Sequence, residues 1–372
     1  MPWSPDEPYN ELPPLPPGVD FETKAVLRQA IRARAALAAL DQAAKRMQNP
    51  MVLVHSLSLL EAQASSEIEN IVTTTDDLFR YAYDPSDSAS AETKETLRYR
   101  AALFSGLEAI RSRPLSVSTA VEVCTNIHRR EMGVRQLPGT FIGDPQTGKA
   151  VYTPPTGEAL IRDKLDNWAD FIHSAGEIDP LIVMAIAHYQ LEAIHPFEDG
   201  NGRTGRIINV LQLVEAGLLS APILYLSRFI IRNKDEYYRL LLAVTRDGAW
   251  EEWISFVLRG LYETATTTLR KIDRIHELQE AMRAEIKRHT TAGSNSDLLD
   301  VLLENPYARI GSVMERCAVS RPTATAWLNA LVDNGTLADL KIGRDRLFIN
   351  TSFMRILTRD DPPEAPAEQT QF

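Results

Sequence analysis

The stretch that decides the reading of this chain is His195-Pro196-Phe197-Glu198-Asp199-Gly200-Asn201-Gly202-Arg203-Thr204-Gly205-Arg206, followed by Ile207-Ile208-Asn209-Val210-Leu211-Gln212-Leu213-Val214. The second run reads as a buried helix, so the glycine-rich turn becomes a helix N-terminus. Such an end presents unpaired N–H groups and a partial positive charge. Gly200-Asn201-Gly202 lets the backbone approach an anion without Cβ clashes. Arg203 and Arg206 lie one turn apart on a shared face, and two guanidinium forks suit a di- or triphosphate. Asp199 is a hard-metal ligand of the kind that holds Mg²⁺ beside phosphates. His195 sits in the approaching loop, where it can transfer a proton at neutral pH.

Taken singly, each piece is more often structural than catalytic. Their joint order within twelve residues points to a nucleotide-phosphate site with a base beside it. The stretch is not a Walker A loop, because no Gly-Lys-Ser/Thr follows four variable residues. His188 and His195 lack zinc-helix spacing, and His188 reads as a core or supporting histidine.

Outward from the motif the pattern is helical. A long apolar helix over 180–194 delivers the chain to His195. Helices are expected over Thr23 to Gln48, Val52 to about Ile71, 94–112, 117–132, 157–174, 234–247 and 249–288. Thr73-Thr74-Thr75-Asp76 reads as an N-cap cluster and 84–93 as a polar loop. Gly and Pro punctuate 133–155 around short β-like pieces, which reads as a hairpin or flap. Residues 1–20 are proline-rich and read as an extended arm, either a proline-motif ligand or a strap on its own domain. Thr290 to Ser296 reads as a linker. Beyond it come helices over Leu298 to Leu303, Ile310 to Cys317 and Ser320 to Leu331. Two strands follow around a Gly343-Arg344-Asp345 tip, a pattern that resembles a winged helix-turn-helix. The tail after Thr358 reads as disordered. The fold class is therefore mainly α, with a β-hairpin flap. The expected regions are 1–110 (arm and N-terminal helices), 111–260 (core), 261–293 (connecting helix and linker), 294–358 (winged-helix module) and 359–372 (tail).

The chain has 372 residues, enough for two or three domains. Its net charge of −10 argues against broad binding to nucleic acid or an anionic membrane, though not against a local basic site. No apolar run approaches the ~20 residues of a membrane span, and the first residues lack signal-peptide character. Cys124 and Cys317 read as buried free thiols of a cytoplasmic protein.

The motif resembles the Fic family signature, His-x-Phe-x-Asp/Glu-Gly-Asn-Gly-Arg-x-x-Arg, at every defined position. Leu137-Pro138-Gly139, Tyr152-Thr153-Pro154-Pro155, Leu224-Tyr225-Leu226-Ser227 and Glu236-Tyr237-Tyr238 resemble other Fic segments, so the likeness spans roughly residues 20–260. It implies a helical core with a β-flap and transfer of AMP from ATP to a protein hydroxyl, with release of pyrophosphate. By position, His195 would take the acceptor proton and Asp199 would bind Mg²⁺. Asn201 and the amides near Gly200 and Gly202 would hold the α-phosphate. Arg203 and Arg206 would hold the outer phosphates, and Phe197 would anchor the loop. Tyr238 and Leu241 would line the adenine pocket, with Thr245 where relatives often carry Asn. The flap over 140–155 would dock the target segment, the alternative being a purely structural hairpin. A homodimer is implied as well.

Ser65-Ser66-Glu67-Ile68-Glu69-Asn70 places Ser65 and Glu69 at i,i+4 on a helix. It matches the Ser/Thr-x-x-x-Glu-Gly/Asn element of autoinhibited Fic proteins. The resemblance implies that Glu69 pairs with Arg206 and blocks the productive γ-phosphate pose. The bland reading is a solvated Glu. Two further readings stay open: removal of AMP by the same site, and a nucleotide-sensing DNA-binding regulator. For the latter the C-terminal module offers Arg321, Thr323, Thr325, Asn329, Lys341, Arg344 and Arg346. That is a modest positive edge, and protein docking is favoured over DNA.

Overall fold

The computed structural model describes residues 3–82, 89–143, 147–293, 296–342 and 345–359. Expectations for 84–88, the flap residues Asp144 and Pro145, the linker pair 294–295, Arg344 of the wing tip, and 360–372 lie outside the described residues. The chain divides into two compact units, 1–46 with 53–266, and 47–52 with 267 onward.

In the first unit α1 (Lys24–Lys45) starts where the Thr23 hydroxyl accepts from Val26 N–H, a side-chain N-cap. Next come α2 (Met51–Ile68), α3 (Thr75–Tyr81), α4 (Ala91–Ser112) and α5 (Val117–His128). Thr74 caps α3 and Ser90 caps α4 through their hydroxyls. The flap strands β1 (Ile142–Gly143) and β2 (Ala150–Tyr152) pair antiparallel. The unit continues with α6 (Glu158–Ser174), α7 (Pro180–Ile194), α8 (Asn201–Glu215), α9 (Leu226–Arg232) and α10 (Lys234–Asp247). The 40-residue α11 (Trp250–His289) begins in this unit and ends in the other.

The core is built around α7, which is apolar on every side. A helix of that kind must be surrounded, and α7 is buried along nearly its whole length. Trp168 and Trp253 are both fully buried, and their indole N–H groups donate to the α7 carbonyls of Ala187 (2.9 Å) and Ala185 (2.8 Å). Each such ring buries apolar area worth roughly 1.5–3 kcal/mol or more without leaving its N–H unpaired. Asp179 caps α7 by accepting from Leu181 N–H, with Pro180 in the first turn.

The proline-rich arm is strapped onto this unit. Asn167 accepts from Leu15 N–H and donates to Leu15 O, Gln190 donates to Pro13 O, and Tyr9 N–H donates to Thr153 O. Leu12 and Leu15 are buried beneath it. Cys124 and Cys317 are free and buried, as expected.

The second unit holds α12 (Ser296–Glu304), β3 (Tyr307–Arg309), α13 (Ile310–Cys317), α14 (Arg321–Asp333), β4 (Ala338–Ile342), β5 (Asp345–Ile349) and α15 (Thr351–Thr358). The sheet order is β3-β5-β4, antiparallel throughout. The buried Lys271 donates to Leu357 O near the end of α15.

Three elements went unread in the sequence: α9, β3 and α15. Each is eight residues or shorter, too brief for a helical or alternating period to register. Strand β3 exists because β5 offers an edge to pair with. Three helices also stop early: α1 at Lys45 rather than Gln48, α5 at His128, where Arg129 adopts φ 51°, and α2 at Ile68, ahead of Asn70 at φ 62°. Among the described residues no helix is long and apolar enough to cross a membrane.

Candidate active site

The site is made where α7 hands over to α8. His195 is the C-cap of α7 in the left-handed conformation (φ 50°, ψ 59°), and its N–H donates to Leu191 O. Phe197 then plunges into the core. Asn201 locks the turn: its Oδ1 accepts from Phe197 N–H and its Nδ2 donates to Phe197 O, both at 2.8 Å. Both side-chain polar groups of Asn201 are thereby engaged, leaving its main-chain N–H in the first turn of α8. Gly200 (φ 82°) closes the turn, and a Cβ there would stand 2.5 Å from His128 Nε2. Asp199 stays outside, its side chain 66% exposed, and its Oδ1 accepts from Gly200 N–H.

The two motif arginines take different partners. Arg206 is buried, its Nε donating to Ser65 Oγ (2.7 Å) and its Nη2 to Ser65 O (2.9 Å) and to Glu69 Oε1 (2.8 Å). Arg203 is equally buried but turns to Glu95 of α4, with Nη1 to Oε1 at 2.5 Å. Its Nη2 stands 3.9 Å from Asp199. Glu69 lies one residue past the end of α2 rather than within it. Lys234 Nζ donates to the last helical carbonyl, Ile68 O. The Glu69 carboxylate rests on the first turn of α8: a Cβ added to Gly202 would lie 2.5 Å from Glu69 Oε1 and 2.8 Å from Arg206 Nη1. A negative group therefore already stands at the N-terminus of α8 where an anion is favoured.

Burial governs the protonation of the groups around this turn. The His195 imidazole is pushed down to about 4 by burial, then by the nearby Arg135 charge, against Glu69 and Asp199, which pull it up. It is therefore neutral at pH 7, the form that accepts a proton. His188, whose Nε2 lies 2.9 Å from Tyr237 Oη, is pushed down to about 3 by burial and Arg206. Glu192 of α7 is pushed up to about 7 by burial, opposed by Arg206 and reinforced by Glu69. Its Oε1 is buried with no hydrogen-bond partner, close to Gly205. Glu61, two turns before Glu69 on α2, is fully buried and accepts from Ser227 N–H and Tyr99 Oη. Burial raises its carboxyl above the usual range.

On α10, Tyr238 is 43% exposed and packs edge-on to Tyr237, with Leu241 one turn on and half-buried. Thr245 Oγ1 lies 2.9 Å from Tyr189 Oη. On the flap, Leu137, Phe141 and Ile142 are exposed apolar side chains.

The structure thus gathers His195, Asp199, Gly200, Asn201, Gly202, Arg206, Ser65 and Glu69 around one helix end, and directs Arg203 to Glu95. Sequence reasoning missed Arg135, Glu95, Glu61 and Glu192. Only Glu192 carried a signal, as the one acidic residue in the apolar run from Pro180 to Ile194.

Comparison with known proteins places family models on most of the chain. The Fic/DOC family N-terminal description matches residues 27–108, the Fic/DOC family description 118–213, and the C-terminal domain of SoFic-like protein adenylyltransferases 278–353. A protein adenylyltransferase Fic of Drosophila virilis is 30% identical over 134 residues, 35% of this chain and 26% of that protein. One of Nematostella vectensis is 30% identical over 176 residues, 45% of this chain and 39% of that protein. This chain therefore spans between a quarter and two-fifths of the curated relatives it matches. Among solved structures, a Fic family protein of Desulfovibrio desulfuricans superposes with a TM-score of 0.54 at 18% identity, covering 88% of this chain and 96% of that one. Fic-1 of C. elegans superposes with a TM-score of 0.51 at 18% identity, covering 67% and 74%. At such identities the likeness is one of fold.

Proposed function

Since this chain belongs to the Fic/DOC family, we propose that it transfers AMP from ATP to a hydroxyl side chain of a target protein, or of itself, and that Glu69 holds the reaction in check. The observation that carries this reading is the Glu69–Arg206 ion pair lying on the first turn of α8, beside a neutral His195.

The polyphosphate binds along the N-terminus of α8. The main-chain N–H groups of Asn201 and Gly202 face the innermost phosphate, and Arg206 holds the outermost. Arg203 adds positive charge from behind, steadied by Glu95. The donor set near the turn suits a Mg²⁺ bound mainly through ATP phosphates: Asp199 is one exposed carboxylate, and no cluster of three His, Cys, Asp or Glu exists among the described residues to cage an ion without them. Asp199 would hold that ion, which would neutralise phosphate charge. His195 takes the proton from the acceptor hydroxyl as its oxygen attacks the α-phosphorus. The bond to pyrophosphate breaks, and Arg206 steadies the leaving charge. Tyr238 and Leu241 receive the adenine. The exposed apolar flap residues dock the target by strand addition.

Autoinhibition follows from competition. The Glu69 carboxylate occupies Arg206 and repels the γ-phosphate. Glu69→Gly incubated with Mg²⁺ and ATP should gain AMP adducts by intact mass, at a rate at least about tenfold above the parent, the equivalent of 1.4 kcal/mol. No gain with any nucleoside triphosphate would refute the reading. Retained Glu69 can also orient a water, which supports AMP removal as a second activity; release of AMP from a pre-modified target tests it.

In the second unit, the order α12-β3-α13-α14-β4-β5 supports a winged helix. Arg346 is already engaged by Asp339 and Asn329 and lies over Phe348. That leaves few cations for phosphates, so we assign this module to protein docking. A salt-sensitive shift of duplex DNA would reverse that choice. The same reading has the protein working in the cytoplasm as a homodimer; sedimentation of the purified chain tests the dimer.

A further inference from the structure

Arg135 lies sixty residues before the motif and outside every segment that marked the site in the sequence. Its side chain is buried, yet it carries a charge. Its Nε donates to His195 O at 2.8 Å, and its Nη2 donates to Ile194 O at 3.3 Å and to Pro155 O. Its main-chain N–H donates to Pro196 O at 2.8 Å. One residue thus grips three consecutive carbonyls, 194 to 196, across the bend where α7 ends. The same guanidinium holds Pro155, three residues past strand β2 of the flap.

That bend needs holding. His195 sits at φ 50°, a conformation that non-glycine residues rarely adopt and that persists only when its surroundings over-determine it. A helix end also leaves carbonyls without partners in the helix, and Arg135 satisfies those of Ile194 and His195. A planar guanidinium fork serves several carbonyls in one pre-organised plane, whereas an ammonium is a compact charge on a flexible stem.

We propose that Arg135 is a positioning residue of the transfer reaction: it fixes the left-handed backbone of His195 and ties that loop to the foot of the flap, so that the imidazole stands at one place relative to a target segment laid on the flap. The reaction itself is the one proposed above, and the positioning role rests on that reading.

The electrostatics agree. The charged groups facing the imidazole are Arg135 on one side and Glu69 and Asp199 on the other. Arg135 opposes protonation of the ring, and the two carboxylates favour it. Loss of Arg135 should therefore make His195 more basic.

The test uses the full chain in the Glu69→Gly background, with Arg135→Gln and Arg135→Lys. Folding is checked by circular dichroism and by ATP affinity. Displacing a reacting group by about 1 Å costs roughly 10²-fold. Arg135→Gln should lose AMP transfer on that scale while ATP affinity holds, and Arg135→Lys should recover part of the loss. The His195 ring, followed by NMR of labelled histidine and assigned with His195→Ala, should titrate higher in Arg135→Gln than in the parent. A folded Arg135→Gln that keeps the parent rate, or leaves the His195 titration unmoved, overturns the proposal. So does a loss of ATP affinity in step with the rate, which would mark a general structural role. If neither the parent nor any variant transfers AMP but the His195 titration still moves, the reaction assignment fails while the coupling of Arg135 to His195 stands.

Discussion

Two buried guanidiniums flank the loop that carries His195, and they are satisfied in opposite ways. Arg206 is met by the Glu69 carboxylate, just past the end of α2, together with Ser65. Arg135 is met by backbone carbonyls of Ile194, His195 and Pro155. A carboxylate is an anion, so another anion can replace it; the Glu69–Arg206 contact is exchangeable by nature. The Ile194 and His195 carbonyls that Arg135 holds belong to the bend itself, so exchanging them would take the bend apart. On the reading proposed above, the difference separates a switch from a scaffold. Both rely on the strength of charged hydrogen bonds away from water.

The sharpest test of that division lies between the two arginines. In the Glu69→Gly background, His195→Ala should abolish AMP transfer by about 10²–10⁴-fold and leave ATP affinity intact, measured by calorimetry. A fall in affinity to match would mean that the loop, not the base, had been lost. Arg206→Ala comes next. It removes charged hydrogen bonds worth about 1.5–3 kcal/mol each, so ATP affinity should weaken by about 10- to 100-fold. Unchanged affinity would deny Arg206 its place as the exchangeable partner.

Gly202 sharpens the comparison from the other side. A methyl group at this position would meet the Glu69 carboxylate at 2.5 Å. The same methyl would stand 2.8 Å from Arg206 Nη1 and in the path of an anion approaching the turn. In the Glu69→Gly background Gly202→Ala should therefore lower AMP transfer by about tenfold and weaken ATP binding with it. An unchanged rate by radiolabel assay would place the phosphates away from this turn.

The smallest expected effect is on stability against pH. Below pH 6.5 the unfolded chain takes up protons at His188 and His195 that the folded chain refuses down to about 3 and about 4. Their contribution therefore falls as pH drops through that window. Glu192 runs the other way: folded, it keeps its proton to about 7, against 4.5 unfolded, so its contribution falls as pH rises between those values. Two rings outweigh one carboxyl between pH 4.5 and 6.5. Glu192→Gln should steepen the rise of Tm with pH there, and an unchanged slope would show that Glu192 is already ionised.

Much of this was legible beforehand because it is local. The helix starts at Thr23 and Thr74 announce themselves by residue type, since a hydroxyl capping a helix needs only its own next turn, whereas Ser90, read as part of a polar loop, caps a helix that starts three residues earlier than expected. The apolar run over 180–194 could only be a buried helix. Where reading failed, the cause lay at a distance. Strand β3 forms on the edge of a strand some forty residues later. Glu95 of α4 looks like any surface glutamate until α8 brings Arg203 against it. Arg135 sits among loop residues with no period at all.

The order of residues from His195 to Arg206 settled that a glycine turn opens a buried helix with two arginines in its first turns, because glycine freedom, helix N–H groups and arginine spacing all act within a dozen residues. Folding alone decided which carboxylate each arginine meets, that Glu69 lies over Gly202, and that Arg135 reaches back to the bend at His195. Ion pairs and buried hydrogen bonds between remote segments depend on where whole helices come to rest, and no short-range pattern in the chain encodes that.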